Sequence, residues 1–501
     1  MDVLKIVQKY VEDTGSTWYF PDKNNYLFEK GVERGVLAKR SIKGKVGYTT
    51  PKIAKQEERI AKFAVARMIT PVKQIPEQKL NMLIDLYEAQ EGIKLDEWQR
   101  EAARVASNSS TFVLTGGPGT GKTCVLKCIR FCLMHTGVKD IQFCAPTGKA
   151  SRRITESVGV PACTVAKAFR LVDEDAIPRK ITNEAIVVDE ISMLDTNTAH
   201  ALFTATPITT RMILVGDVEQ LPSVGCGSIL RDLIDSEVIP YTKLEKTFRQ
   251  ASESGLFANI EQVKKGLHAG FVERDDFKVF SANTTEDSKK IMVDEFLSAV
   301  ETYGIDNVVC LTPFRRKGEA CAIKLNNELQ EILNPKSDSN KGISYTTIEE
   351  DGFKYRQTLR VGDPVMQLVN ATKVANGDVG RVSKVDIPNL IVYVQFIDCE
   401  VRYSAKDLGQ LALAYAMSVH KSQGSEYACV ITSAIESDFD MLSRNTIYTA
   451  ITRAKKECRV ITGGDVAKRA CEREVGYERK TGLTQAMQHE YKKYKMLSAL
   501  L

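Results

Sequence analysis

The chain has 501 residues, 43% of them hydrophobic and 27% charged, with a formal net charge of +5. That length exceeds what one hydrophobic core supports, so several domains are expected, and the mild basic excess permits a polyanionic partner without requiring one. No run approaches the roughly 18 apolar residues of a membrane span, residues 1–6 carry no secretion-signal core, and twelve cysteines without a C-x-x-C pair argue for a reducing, cytoplasmic setting rather than a disulfide scaffold.

Residues 1–90 read as a separate unit. A helix-like stretch at 26–38 is followed by two β-like pieces, 37–40 and 46–49, around the basic turn Lys43-Gly44-Lys45, and then by a long helix at 52–68. Helix plus basic hairpin suggests a winged helix, or equally a packing cap with no ligand of its own.

Beyond it, short apolar runs alternate with helical patterns. One group lies at 111–114, 141–144, 185–188 and 212–215, a second at 307–311, 428–432 and 458–462. Such alternation predicts two α/β domains with parallel sheets. The run at 111–114 leads into Gly116-Gly117-Pro118-Gly119-Thr120-Gly121-Lys122-Thr123, the spacing G-x-x-x-x-G-K-[ST] in its strand–loop–helix context. Glycines there let several backbone N–H groups converge on phosphate oxygens at a helix N-terminus. Lys122 would reach the β- and γ-phosphates, and the Thr123 hydroxyl would ligate Mg²⁺. Gln99, 17 residues upstream of Gly116, could read an adenine edge, and no N-K-x-D guanine reader appears, so ATP is favoured. Cys124, Cys128 and Cys132 recur every four residues on one helix face, where thiols act as small hydrophobes.

The run at 185–188 ends in Asp189-Glu190. Two adjacent carboxylates at a strand end beside a phosphate loop suit a Mg²⁺-shell ligand, Asp189, and a base for the attacking water, Glu190. The run at 212–215 ends in Gly216-Asp217 and continues to Gln220, which could sense a γ-phosphate. Arg249 and Arg453 stand where a second α/β domain without its own phosphate loop could supply fingers to the first; from position alone either could be an ordinary surface arginine. Pro146, Thr147, Lys149 and Ser151 after the second run, and Ser418, His420 and Lys421 before the run at 428–432, have the hydroxyl and ammonium groups that phosphate contacts use. Closely spaced β-like runs at 352–407, after a breaker-rich linker at 334–342, predict a small antiparallel barrel inserted into the second α/β domain.

Taken in order from Leu95 to about Gly464, these blocks resemble superfamily 1 helicases of the RecD-like 5′-to-3′ branch. The blocks 214–225 and 415–426 are the most specific of them. The resemblance implies an α/β fold with two RecA-like domains, an SH3-like insertion and a winged-helix-like start, divided as 1–90, 91–245, 246–345 with 411–501, and 346–410. It implies the equipment of a monomeric ATP-hydrolysing motor: ATP and Mg²⁺ as bound groups, single-stranded DNA and duplex junctions as partners, Gly424 at the nucleotide, and Thr164 and Phe169 along the DNA. A strand-splitting hairpin expected after Phe169 is reduced to 170–184, where only Leu171-Val172 and Ala176-Ile177-Pro178 offer apolar wedge material. A translocase without efficient strand separation, and a DNA-binding subunit of a nuclease complex, are the alternative readings.

Overall fold

A computed structural model describes residues 2–21, 26–171, 176–246, 254–348, 352–371, 373–397, 399–473 and 479–498. The chain divides into two compact units. The first comprises 1–146, 150–248 and 475–501, the second 147–149 and 249–474.

In the first unit the elements run α1 Val3–Thr14, α2 Tyr26–Glu33, β1 Ala38–Ile42, β2 Lys45–Thr49, α3 Pro51–Ile69, α4 Glu77–Glu91, α5 Glu97–Asn108, β3 Thr111–Gly116, α6 Lys122–His135, β4 Ile141–Ala145, α7 Gly148–Val158, β5 Ala162–Thr164, α8 Val165–Phe169, β6 Ala185–Val188, α9 Thr196–Ala205, β7 Arg211–Gly216, α10 Ile229–Asp235 and β8 Tyr241–Leu244. Strands β1 and β2 form an antiparallel hairpin whose turn residues, Lys43 and Gly44, both have positive φ (49° and 78°), the backbone that a tight two-residue hairpin turn demands. Thr50 caps α3 by accepting from Ile53 N, with Pro51 in the first turn, as a preset φ favours.

Six parallel strands follow in the order β5-β4-β6-β7-β3-β8. Alternate residues of each central strand enter two different cores. Val113, Ile186, Val188 and Leu214 face one; Phe112, Leu114, Val187 and Ile213 face the other. A strand buried on both faces reads as an unbroken apolar run, which is why 111–114, 141–144, 185–188 and 212–215 stand out in the sequence. The edge strands β5 and β8 do not: three residues, and a Tyr241–Leu244 pattern that alternates exposed and buried, carry too little periodicity. Cys128 and Cys132 are buried in the second core, as small hydrophobes should be.

The helix Leu483–Ser498 corrects the expected partition. Sequence order puts it with the second α/β domain, yet Leu483 and Met487 are buried with Ile60, Ala61 and Ala64 of α3 in the first unit. Its start is tied there by Glu57, which accepts from Thr17 Oγ1 (2.5 Å), Trp18 Nε1 (2.7 Å) and Gly482 N (3.1 Å). A Cβ at Gly482 would lie 2.5 Å from Trp18 Nε1, so only glycine fits. Beside it, Thr481 and Thr484 hydroxyls donate to Asp232 Oδ1 at 2.6 and 2.9 Å, while burial drives the Asp232 pKa up to about 7. The folded state therefore prefers protonated Asp232. Its stabilising contribution is complete below the unfolded pKa of about 4 and is lost as pH rises towards 7. Urea unfolding at pH 5 and pH 8 is expected to show a stability difference that narrows in Asp232→Asn, by up to about 2.6 kcal/mol, since that interval crosses about two pKa units at 1.36 kcal/mol each.

The second unit contains α11 Gly255–Lys264, β9 Phe277–Ser281, α12 Thr285–Tyr303, β10 Val308–Thr312, α13 Ala322–Leu333, β11 Ile343–Ile348, β12 Lys354–Leu359, β13 Pro364–Gln367, β14 Val379–Asp386, β15 Ile391–Gln395, β16 Glu400–Tyr403, β17 Leu411–Leu413, β18 Ala416–Ser418, β19 Tyr427–Ala434, α14 Arg444–Ile451, β20 Ala454–Thr462 and α15 Val466–Cys471. Its parallel sheet has the order β18-β10-β19-β20-β9. Between α13 and β18 the chain leaves this sheet to build the β11-β12 ribbon and a five-stranded antiparallel sheet, β16-β15-β14-β13-β17. Val365, Val382, Val392, Val394 and Phe396 fill the inner face of that sheet and join the core of the parallel sheet. Among the described residues no helix is long and apolar enough to cross a membrane.

Candidate nucleotide site and nucleic-acid interface

Four loops gather at the carboxyl edge of the first parallel sheet, where ligands sit in open α/β sheets. They follow β3 (Gly116–Thr123), β4 (Pro146–Ser151), β6 (Asp189-Glu190) and β7 (Asp217–Gln220). Gly119 and Gly121 have φ of 76° and 84°, and Gly121 caps α6 with no side-chain hydrogen bond. The loop's N–H groups and the first turn of α6 thus face the same space. Within the loop, Thr120 Oγ1 donates to Gly117 O at 2.8 Å, and Lys122 Nζ lies 2.9 Å from the same carbonyl. The ammonium is folded over the loop, in the position a phosphate-neutralising cation requires.

Glu190 adopts φ 53°, ψ 39°, the left-handed region, and starts the short 3-10 turn Ile191–Met193. Such backbone in a non-glycine residue costs on the order of 1–3 kcal/mol and clusters at functional positions. Gly216 makes room for it: a Cβ there would lie 2.9 Å from Ile191 Cγ2 and 3.3 Å from Ser192 N. The Glu190 N–H donates to Asp189 Oδ1 at 2.8 Å. Burial raises the Asp189 pKa, opposed by that N–H and by the charges of Lys122 and Arg153. A desolvated carboxylate with one oxygen so engaged is a ready cation ligand. Asp189 and the Thr123 hydroxyl form a hard, all-oxygen donor set that fits Mg²⁺, an ion that takes one or two protein ligands and completes its shell with water and phosphate oxygens. Asp217 is buried; it accepts from Glu219 N at 3.0 Å and lies 3.5 Å from Gln220 Nε2, which holds Gln220 at the loop.

Gln99 has a structural use besides the expected one. Its Oε1 accepts from Asp96 N (3.0 Å) in a reciprocal capping box of α5, and its Nε2 donates to Thr120 O at 3.0 Å. Each end of the amide is engaged once, so Gln99 braces the phosphate loop, and its second N–H and second carbonyl lone pair are the groups an adenine edge would use. Phe169 is corrected outright. Its ring is fully buried in the first unit's core, and a base cannot stack on it. Thr164 spends its Oγ1 capping α8, accepting from Lys167 N at 3.1 Å. Ser151 is buried, whereas Pro146 and Thr147 are half-buried. Arg249, with its neighbours in 247–253, lies outside the described residues, as do 172–175.

In the second unit, Ser418 precedes the 3-10 turn Val419–Ser422, which carries half-buried His420 and exposed Lys421; Lys421 Nζ donates to Asn376 Oδ1 at 3.0 Å. Lys149, which groups with this unit, lies 3.3 Å from Tyr427 Oη. Gly424 turns the chain at φ 73°. Arg453 is buried at 3% exposure, with Nε donating to Thr449 O (3.1 Å), one terminal nitrogen to Ser425 O (3.2 Å) and the other to Thr452 Oγ1 (3.3 Å). The expected finger is therefore sheathed in its own unit, because a buried guanidinium must satisfy its N–H groups on whatever acceptors lie in reach.

The family described as AAA domain matches residues 94–279, and the UvrD-like helicase C-terminal domain matches 413–461. An ATP-dependent RecD2 DNA helicase of Deinococcus radiodurans is 33% identical over 371 residues, 72% of this chain and 48% of that protein. The RecBCD enzyme subunit RecD of Mycolicibacterium smegmatis is 28% identical over 77% of this chain and 74% of that one. The chain is a RecD-like member of superfamily 1B. It spans about half the length of the Deinococcus protein. A Bacteroides Pif1 helicase solved with ADP-AlF3 and single-stranded DNA aligns at 19% identity and a TM-score of 0.49, over 75% of this chain and 94% of that one. Two features of this RecD-like chain have no sequence signal of their own. The left-handed backbone of Glu190 is invisible in an Asp-Glu pair, and nothing local announces that the charge of Arg153, 36 residues upstream, acts on Asp189.

Proposed function

We propose that the chain is an ATP-driven motor that moves 5′ to 3′ on single-stranded DNA and opens duplex DNA ahead of it. The observation that carries the reading is the meeting, at one sheet edge, of the glycine loop with Lys122 and the Asp189-Glu190 pair in its strained turn. Lys122 and the loop N–H groups would bind the phosphates, Glu190 would take the proton of the attacking water, and Gln220 would report the γ-phosphate. Thr123 and Asp189 would hold Mg²⁺, which screens phosphate charge. Arg249 and Arg453 would complete hydrolysis, and Gln99 would support the loop. Pro146, Thr147, Lys149, Ser151, Ser418, His420 and Lys421 would contact DNA phosphates. The RecA-like character of both parallel sheets, the SH3-like character of the antiparallel insertion, the winged-helix character of the hairpin region, a monomeric motor and a cytoplasmic setting belong to the same proposal.

A second reading, translocation with weak strand separation, is favoured by the brevity of 170–184. Within it Ile177, 93% exposed, is the one large apolar side chain offered to solvent among the described residues. A duplex with a 5′ tail, compared with its 3′-tailed twin, tests both. Unwinding of the 5′-tailed substrate alone is expected, dependent on ATP. Unwinding from the 3′ tail defeats the polarity, and ATPase activity indifferent to DNA defeats the motor.

A further inference from the structure

Helix α3 carries Lys52, Lys55, Arg59 and Lys62 at spacings of three, four and three residues, which align on one helical face. All four are exposed. Ten residues at 1.5 Å each extend the row over about 15 Å. The opposite face of α3 is locked down: Ile60, Ala61 and Ala64 are fully buried, and Arg67 near the helix end donates to Thr210 O at 2.9 Å. The acids of the same helix are directed elsewhere, Glu57 into the core and Glu58 into a pair with Arg40 at 2.8 Å. Lys55, Arg59 and Lys62 form no salt bridge among the described residues, so this stretch of the row is a rigid edge of excess positive charge.

Alongside it runs a groove of about 240 Å³ between α3 and α9, walled on one side by Lys55 and Arg59, on another by Asn197 and His200, and closed by Leu171 and Pro178. A Gln56 Nε2–Asn197 Oδ1 hydrogen bond of 2.7 Å fixes its floor. His200 Nε2 is buried with no hydrogen-bond partner among the described residues, and burial together with the nearby Arg59 charge lowers the pKa of its ring. The groove's mouth therefore offers cations, and among the described residues its lining includes no phenylalanine, tyrosine or tryptophan. Proteins that grip single strands combine a basic track with aromatic platforms for unstacked bases. A basic edge without platforms suits a backbone whose bases are already paired. Pro178 of the groove adjoins exposed Ile177 in sequence, so the edge lies beside the segment proposed to meet the junction.

We propose that the Lys52–Lys62 edge of α3 is a sequence-independent binding site for the phosphate backbone of duplex DNA, separate from the single-strand track. The proposal rests on the motor reading above. It is tested with the full chain carrying K55Q/R59Q/K62Q, measured by fluorescence anisotropy on a blunt duplex, a 5′-tailed fork and a single-stranded oligonucleotide across a salt series. Duplex and fork affinity are expected to fall about 10- to 100-fold at moderate salt. The slope of log affinity against log salt should flatten by about 3, near 0.9 per lost phosphate contact. Single-strand affinity and single-strand-stimulated ATPase should stay at wild-type values. The charge-preserving K55R/R59K/K62R should bind as wild type does. Unchanged duplex affinity overturns the proposal, and so does an equal loss on the single strand. If the triple variant melts early, R59Q alone still decides, with an expected slope change of about 1 on the duplex and none on the oligonucleotide. Failure of the motor reading is recognised separately, by wild-type ATPase that ignores DNA.

Discussion

Glu190→Gln is expected to lower DNA-stimulated ATP hydrolysis by about 10²- to 10⁴-fold, the usual contribution of a positioned general base, while leaving nucleotide binding near wild type. The amide keeps the size of the carboxylate and its place in the turn, so the left-handed backbone at φ 53° and the Asp189 Oδ1–Glu190 N hydrogen bond survive. Only proton acceptance is lost. Steady-state ATPase with saturating single-stranded DNA, paired with a fluorescent-nucleotide titration, separates the two effects. A loss of turnover of about tenfold or less would assign the base to another residue. Glu190→Gly is the informative companion. Glycine relieves the backbone cost of the turn, so this variant is expected to be inactive and yet no less stable.

Arg453→Ala is expected to cost more than one thing at once. An arginine finger is worth about 10³–10⁵ in rate. In this structure, however, the guanidinium also satisfies Thr449 O, Ser425 O and the Thr452 hydroxyl inside the second unit. Thr449 O keeps the Thr452 hydroxyl as a donor at 3.0 Å, but truncation takes the Arg453 donor from Ser425 O, at about 1–3 kcal/mol for a buried group left unmet, so the variant should melt earlier as well as hydrolyse slowly. Arg453→Lys distinguishes the roles. Lysine keeps the charge but loses the planar fork that reaches several acceptors together. Turnover that stays low in the Arg453→Lys protein, at a temperature where the fold is intact, supports the finger. Turnover restored with the melting temperature would leave Arg453 a purely structural residue.

The parts of this molecule that can be read from the chain are those where one local pattern decides the outcome. Unbroken apolar runs such as 185–188 form strands buried on both faces, and the glycine spacing of 116–123 forms a loop with two left-handed glycines. What escapes such reading depends on partners far away in sequence. The bracing role of Gln99 is one such case, since a glutamine's neighbours do not reveal that Asp96 N and Thr120 O each engage one end of its amide. Phe169 is placed along the DNA by the resemblance alone, and a five-residue helix gives no period that would have marked its side chain as buried. Arg453 is polar, and nothing local announces that its carbonyl acceptors lie within its own unit. The helix Leu483–Ser498 follows the second unit in the chain but finds its apolar partners on α3.

That last attachment has a temporal consequence. The Gly482 N–H that Glu57 accepts comes from 425 residues downstream. At about 5–20 residues per second of synthesis, roughly 20 to 90 seconds separate the appearance of Glu57 from that of its partner. Throughout that interval α3 has been made, but the apolar surface that Leu483 and Met487 will cover is still open to water. The first unit can complete its packing only after the second has been synthesised and the helix that follows it has left the ribosome. A chain halted in the second unit would carry an unfinished first one, with the α3 surface that Leu483 and Met487 cover left open to water.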